Sequence, residues 1–175
     1  SAQFALFSYF APYMKDMLGA SGQQIALTFF FFGASGVLST VLVSRSIDRV
    51  GAAPMVTALL ALMLLSFLAW PWASSVLLFN IMLVPWALGC FSSNSAQQAR
   101  LGSAAPALGG VLIALNTSAI YLGQALGAAG GGAVIAANTA AGRSPYAGLW
   151  IVALGWMVPA LALSAWAAAK MKRHV

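Results

Sequence analysis

Acidic side chains are almost missing from this sequence. Its 175 residues contain two aspartates, Asp16 and Asp48, and no glutamate. All charged residues together make up 6% of the chain, whereas soluble domains carry about 25%. Since 62% of the residues are hydrophobic, water cannot be the main medium around the folded chain. The composition predicts a polytopic membrane protein.

Cysteine and histidine are also scarce, with one residue each, Cys90 and His174. A single cysteine inside an apolar segment excludes a disulfide framework and a cysteine-based metal cluster. We therefore expect no metal and no bound cofactor. The two acids lie at the ends of apolar segments, so this part of the protein offers no carboxylate in the middle of the membrane to carry a proton.

The basic residues stand singly between apolar runs, which indicates membrane topology and argues against nucleic-acid binding despite a formal net charge of +6. One side of the predicted membrane holds Arg45, Arg49, Arg100, Lys170, Lys172 and Arg173. The other side holds Lys15 and Arg143. Because cytoplasmic loops carry the excess of Lys and Arg, the first side is predicted to be cytoplasmic, together with the C-terminus. We expect a multi-pass protein of the inner membrane.

Six apolar segments divide the chain. They run from about Ala2 to Met14, Ile25 to Val43, Pro54 to Trp72, Val76 to Ala99, Ala107 to Ala137 and Ala147 to Ala169. Backbone groups in lipid must be satisfied within each segment, so all six are predicted to be helices. The first offers only about 13 apolar residues where about 20 are needed to cross a bilayer, which predicts a helix truncated at its start.

Amide side chains occur in the fourth and fifth segments, whereas the third and sixth are simpler and look peripheral. The amides are Asn80, Asn94, Gln97 and Gln98 in the fourth segment and Asn116 and Gln124 in the fifth. On an ideal helix Asn80, Asn94 and Gln98 lie close to one line. Such groups face either a water-filled cavity or a neighbouring helix, where a hydrogen bond contributes about 0.6 kcal/mol. Both interpretations remain open for each amide.

The fifth segment is predicted to be two-faced. One face holds Asn116, Ile120, Gly123, Gln124, Gly127 and Gly131, with Thr117 at its edge; the opposite face holds Leu115, Leu122, Leu126 and Ala129. Glycines four residues apart allow a second helix to approach closely, and Gly33, Gly36 and Thr40 in the second segment offer a comparable surface. These glycines are predicted to pack helices.

Two stretches carry a family resemblance. The turn "SRSIDRVG" and the segment "PALGGVLIALNTSAIYLGQALGAAGGG", in a six-helix order, resemble the C-terminal half of a major facilitator superfamily transporter of the drug:proton antiporter and sugar-efflux type, similar to arabinose-efflux permeases. The turn is similar to the family's Gly-x-x-x-Asp-Arg-x-Gly-Arg motif. Asp48, Arg49 and Gly51 match it, while Ser44 replaces the first glycine and alanines replace the basic residues that follow.

The resemblance implies a six-transmembrane-helix bundle made of two inverted three-helix repeats, one half of a twelve-helix fold, with the N-terminal half absent from residues 1–175. It implies efflux of a small organic solute, a drug or a sugar, by alternating access as a secondary transporter. The residues expected to border the substrate pathway are Tyr9, Tyr13, Asn80, Asn94, Asn116, Thr117 and Gln124. Asp48, Arg49 and Gly51 would form the cytoplasmic gating loop. The expected partners are that substrate, the lipid bilayer and the missing half.

Two other functions are possible from the residues. Six helices with glycine surfaces could form a channel or a self-assembling half-transporter that dimerises around a pore. The letters "GASG" at Gly33 to Gly36 match the nucleophile segment of rhomboid proteases, but a serine nucleophile needs a base within hydrogen-bond reach, and the one histidine lies in the basic tail. We therefore expect that the protein is not an enzyme.

Overall fold

A computed structural model describes residues 1–171, and Lys172, Arg173 and His174, which entered the predictions above, lie outside that range. The described chain is all-helical. Its α-helices are α1 (Ala2–Phe7), α2 (Phe10–Leu18), α3 (Gly22–Val50), α4 (Ala52–Ala69), α5 (Val76–Ala104), α6 (Gly109–Ala140) and α7 (Leu149–Met171). Short 3-10 turns at Trp70–Trp72 and Pro106–Leu108 extend α4 and precede α6.

Five of the helices within residues 1–171, α3 to α7, are long and apolar enough to cross a membrane. They correspond to the second to sixth predicted segments. The first segment, expected as one helix, is instead two short helices that meet at Ser8 and Tyr9. Pro12 gives the physical reason, because it has no N–H to donate to the carbonyl of Ser8 and its ring crowds that carbonyl.

A serine begins α3 and a glycine ends it. A capping box begins the helix: the Gln24 backbone N–H donates to Ser21 Oγ at 3.3 Å, and the Ser21 N–H donates to Gln24 Oε1 at 2.8 Å. Gly51 ends it with φ +88°, a conformation that favours glycine. Since α4 begins at the next residue, Gly51 alone connects the two helices, and the chain reverses its direction there.

The core is largely aromatic and forms where α1, α2, α4 and α5 meet. Phe10, Phe67, Phe79 and Trp86 are almost completely buried there. The Phe67 and Trp86 rings contact edge to face, with centroids 5.1 Å apart, a favoured aromatic geometry. This cluster joins the α1–α2 pair to α5 and so positions the N-terminal helices against the rest of the bundle.

The third segment was expected to be peripheral, and in the structure one side of α4 lies inside the bundle. One side of α4 packs between α5 and α7 and buries Val56, Leu59 and Met63. Gly89 of α5 permits this contact, because a Cβ there would lie 2.6 Å from the Leu59 carbonyl oxygen. In α6, by contrast, the buried residues are Gly123, Gly127, Gly131 and Asn138. Composition alone does not show which helix lies inside a bundle when every helix is apolar.

A serine of α4 repairs the helix hydrogen bonding of α5 next to Pro85. Ser66 Oγ accepts a hydrogen bond from the Trp86 backbone N–H at 2.9 Å and donates one to the Met82 carbonyl at 2.6 Å. The hydroxyl therefore stands between the donor and acceptor that would bond directly in a regular α-helix. Such repair is required in a span, because lipid offers no alternative partner.

Candidate functional site

A cavity of about 1120 Å³ lies within the bundle, bordered by residues of every spanning helix and of α1. Its lining is chemically mixed. The polar and cationic side chains are Gln3, Ser93, Asn94, Gln97, Arg100, Asn116, Gln124 and Ser164. The aromatic side chains are Phe4, Phe7, Phe32, Trp86 and Phe91. The cavity is therefore amphipathic, as small-molecule sites commonly are.

Three of the residues expected along the substrate pathway line this cavity together. Asn94 of α5 and Asn116 of α6 face each other, and Asn116 Nδ2 donates to Asn94 Oδ1 at 3.4 Å. Gln124 lies two turns further along α6 on the same wall. A cross-helix bond and a cavity wall are thus not alternatives here, because the same amides provide both.

Asn80 and Thr117 are placed elsewhere. Asn80 Nδ2 donates to the Val76 carbonyl of its own helix at 2.8 Å and lines a separate cavity of about 400 Å³ between α3 and α5. It precedes Asn94 by four helical turns, about 21 Å, so the two amides lie at different depths. Thr117 Oγ1 donates to the Ile113 carbonyl at 2.9 Å and does not line the large cavity.

The two tyrosines expected along the pathway also lie outside the cavity wall. Tyr9 donates from its hydroxyl to the Ala128 carbonyl at 2.7 Å and fills the contact between α1 and α6. Tyr13 is 7% exposed and stacks in the aromatic core, with its ring centroid 4.8 Å from that of Trp70. The break between α1 and α2 is the reason, because residues after it no longer follow the direction of the first helix.

The glycines of α6 contact α1, not α3. A Cβ on Gly127 would overlap the Ser1 carbonyl oxygen, and one on Gly131 would lie 2.6 Å from the Ala5 carbonyl oxygen. Gly123 borders Ser1 in the same seam, with 3.0 Å between a Cβ built there and Ser1 Oγ. These three glycines allow α1 to lie directly on α6.

The two glycines of α3 differ from one another. Gly36 makes room for the Phe91 ring, which would overlap a Cβ at this position. A Cβ on Gly33 would meet nothing within 4 Å, so the structure places Gly33 at no helix crossing among residues 1–171. The small-residue pattern in α3 therefore divides into one residue that shapes the cavity wall and one that borders open space.

The motif residues of the turn between α3 and α4 lie at the end of the bundle. Asp48 and Arg49 occupy the last turn of α3 and are exposed. Gly51 follows with its positive φ, and its N–H donates to the Ile47 carbonyl at 2.8 Å. The structure therefore presents one acidic and one basic side chain at a tightly turned edge.

Arg100 was assigned by sequence to the cytoplasmic surface, but its residue is 9% exposed. Its Nη1 donates to Ser164 Oγ of α7 at 3.1 Å, and that hydroxyl is 3.0 Å from Thr57 Oγ1 of α4. A helical stripe on α5, in which Trp86, Cys90, Ser93, Gln97 and Arg100 recur every three or four residues, lines the cavity. The centre of this stripe is rotated by about 100° from the line through Asn80 and Asn94, so that line does not predict that Arg100 faces the cavity.

The opposite end of the bundle is joined by a tyrosine and an aspartate. Tyr146, in the connection between α6 and α7, donates from its hydroxyl to Asp16 Oδ2 at 2.8 Å. Partial burial, then this hydrogen bond and the negative charge of Asp16, raise the pKa of Tyr146 to about 12. Asn138 holds the same connection by donating from Nδ2 to the carbonyls of Pro145 and Ala147.

Several known proteins are similar to this chain. The transcription regulatory protein OpdE of Pseudomonas aeruginosa is 31% identical over 134 residues, which are 71% of this chain and 32% of OpdE. The uncharacterized MFS-type transporter YbcL of Bacillus subtilis is 24% identical over 161 residues, which are 89% of this chain and 39% of YbcL. The inner membrane transport protein YdhP of Escherichia coli is 28% identical over 158 residues, 90% of this chain and 40% of YdhP.

The chain thus spans between a third and two fifths of the curated relatives it matches. The two relatives that align with most of it are transport proteins, which supports the prediction that it is not an enzyme. No family model matches the chain. No solved structure matches it either.

Proposed function

The chain is a homologue of MFS-type transporters along about nine-tenths of its length, and from this relationship we propose that it forms the C-terminal six-helix bundle of such a transporter. In this proposal α1 and α2 together make one broken span, which adds to the five continuous spans α3 to α7. The missing N-terminal bundle would complete a twelve-helix fold in the inner membrane.

The proposed bundle consists of two three-helix repeats of inverted topology. The α1–α2 pair, α3 and α4 would form one repeat, and α5, α6 and α7 the other. Support comes from the first member of each repeat, since both contain a proline: Pro12 lies in the first turn of α2, and Pro85 lies inside α5.

We propose that a small organic solute, a drug or a sugar, binds in the large cavity and is exported by alternating access of the two bundles. The observation that carries this proposal is the cavity itself, which Asn94, Asn116 and Gln124 line together with aromatic rings. A solute with polar and apolar parts can satisfy both surfaces. Any proton coupling would use an acid outside this chain, since Asp16 and Asp48 lie at helix ends.

A gating role is proposed for the turn between α3 and α4. Asp48 and Arg49 are exposed at the end of the bundle, and their charges would pair with the missing half in one of the two transport states. Gly51 would hold them in place, because its positive φ fixes the direction in which α3 ends. The contact would form and break as the bundles rock.

Accessibility of α6 to water tests the proposed pathway. In the full-length protein without other cysteines, including Cys90, we expect the Gln124→Cys variant to react with a small hydrophilic thiol reagent, because position 124 lines the cavity. Leu126→Cys is the matched control, since Leu126 lies on the same helix outside the cavity wall and lipid does not support the reactive thiolate.

Transport measurements with a panel of drugs and sugars identify the solute, which should then slow the reaction at position 124. Equal reactivity at positions 124 and 126 would contradict the prediction that α6 has one polar face and one apolar face. An inert Gln124→Cys variant with normal expression would indicate that this amide only packs against its neighbours.

A further inference from the structure

Arg100 is a buried cation without a carboxylate partner among residues 1–171. The chain's two acids are at other places: Asp16 accepts its hydrogen bond from Tyr146, and Asp48 is exposed in the last turn of α3. A charge removed from water is strongly unfavourable unless it is paired and hydrogen-bonded. The guanidinium lines the large cavity, so an anion from outside the described chain can pair with it there in place of water.

Most of the guanidinium's hydrogen-bonding capacity is free in the described structure. Arginine carries five N–H donors, and the side chain of Arg100 makes one hydrogen bond here, from Nη1 to Ser164 Oγ. Ser164 is itself buried and tied to Thr57, so this contact fixes one corner of the guanidinium. The remaining edge lies in the wall of the large cavity.

The surroundings of Arg100 define the chemistry that would bind there. Gln97 and Asn94 precede it on α5 on the cavity wall and can donate from their amide groups. Phe91 lies nine residues before Arg100, about 14 Å along the helix, and its ring contacts Phe32 with centroids 5.9 Å apart. A cation, two amides and aromatic rings thus share one chamber.

We propose that this cavity binds an amphipathic organic anion, whose carboxylate pairs with Arg100 and whose apolar body lies against the aromatic wall. A planar carboxylate matches the fork of the guanidinium and can accept two parallel hydrogen bonds from it. The proposal rests on the proposed transport function and adds a substrate class to it. A carboxylate of the remaining part of the protein has the same chemistry, so the experiment must separate the two sources.

The test is a binding comparison between two probes that differ in charge. Purified full-length protein in lipid nanodiscs is titrated with 4-(1-pyrenyl)butyrate and with the corresponding neutral amide, and empty nanodiscs correct for partition into lipid. We expect the acid to bind at least about ten-fold more tightly than the amide, the factor expected for charge-assisted hydrogen bonds. Both probes carry the same aromatic body, so the difference isolates the carboxylate.

Variants assign that difference to Arg100. Arg100→Gln is expected to lower affinity for the acid to that of the amide, while binding of the amide changes less than about two-fold. Arg100→Lys should keep part of the preference, because lysine retains the charge but not the fork. Arg45→Gln is the matched control, since Arg45 is exposed outside the cavity wall, and it should keep the full preference.

Gln124→Cys, in the protein without other cysteines, provides a measurement with Arg100 in place if Arg100→Gln does not fold. Position 124 lines the same chamber, so the acid should protect the introduced thiol from a methanethiosulfonate reagent at lower concentration than the amide does. Equal binding and equal protection by the two probes would overturn the proposal. Export of neutral solutes by the same preparation would show that the proposed transport function survives that result.

Discussion

At the scale of single residues, position in the bundle decides what a charge does. Arg100 and Arg143 both entered the topology prediction as loop charges. The structure leaves Arg143 exposed in the connection after α6 and buries Arg100 against α7. The two arginines differ because Ser164 and the cavity wall reach one of them, and these neighbours lie far away in sequence.

Tyr146 gives a pH-dependent prediction. Its pKa in the folded protein is about 12, above the ordinary value of 10.0, so its contribution to stability is complete below pH 10 and is lost as the pH rises through 12. Replacing Tyr146 with Phe removes the hydrogen bond to Asp16 and should lower the free energy of unfolding by about 0.5 to 1.5 kcal/mol at pH 8. Thermal unfolding at several pH values measures this.

The difference between wild type and the Tyr146→Phe variant should shrink as the pH approaches 12, because the ionised tyrosine no longer donates to Asp16. Tyr121→Phe is the control, since Tyr121 is an exposed tyrosine on α6, and it should show no such convergence. A constant difference across the whole pH range would mean that the Tyr146 hydroxyl does not act through Asp16.

At the scale of helices, close contacts depend on a few small or polar residues. The seam between α1 and α6 requires glycine, and the proline site of α5 requires a hydroxyl from α4. Both devices satisfy the same condition, since backbone groups and surfaces inside a membrane must find protein partners. Each can be tested by one substitution and a matched control.

The glycine seam predicts opposite outcomes for two similar substitutions. Gly131→Leu should clash with the Ala5 carbonyl and the Tyr9 ring and destabilise the protein by about 1 to 3 kcal/mol through overpacking. Gly33→Leu should be tolerated better, because open space surrounds Gly33 in the described chain. Folded yield after detergent extraction measures both. Poor yield of Gly33→Leu with normal yield of Gly131→Leu would contradict the assigned seam.

Ser66 makes a second prediction at this scale. Ser66→Ala leaves the Trp86 N–H and the Met82 carbonyl without their observed partner, so we expect a loss of about 1 to 3 kcal/mol. Ser118→Ala is the control, since Ser118 is exposed and bonds only to Ala114 of its own helix. Denaturation in mixed micelles compares the two. Equal stability of both variants would show that α5 closes its own hydrogen bonds at Pro85.

At the scale of the whole molecule, the contacts at the two ends of the bundle agree with the membrane orientation predicted from the basic residues. Asp16 and Tyr146 meet at one end, next to Lys15 and Arg143. Thr57 and Ser164 meet near the other end, where α3 carries Arg45 and Arg49. The excess of basic residues again lies at the second end, which is predicted to be cytoplasmic.

Reporter fusions test this orientation in the full-length protein. A reporter inserted near Gly142, in the connection between α6 and α7, should be active outside the cytoplasm, and one fused after Val175 should be active inside. The reason is the distribution of Lys and Arg, which sets the orientation during insertion. Labelling in the reverse sense would exclude both the proposed topology and a cytoplasmic position for Asp48 and Arg49.

The amino-acid sequence by itself determined the helices. Each apolar run must bond its own backbone in lipid, so the second to sixth segments became α3 to α7 without help from distant residues. Helical spacing also placed Asn94 and Asn116 each on a polar line of its own helix, while their hydrogen bond to one another is seen only in the structure. Local periodicity is enough for such features.

Only the tertiary structure decided which side chains share a cavity. The contact of Ser66 with α5 beside Pro85, the seam that carries α1 onto α6, and the contact of Arg100 with Ser164 all join residues far apart in sequence. The tertiary structure leaves Tyr9 and Tyr13 outside the wall of the large cavity and brings Arg100 into it. The rotation of each helix about its axis is set by packing, and in a chain that is apolar on nearly every face, composition does not indicate that rotation.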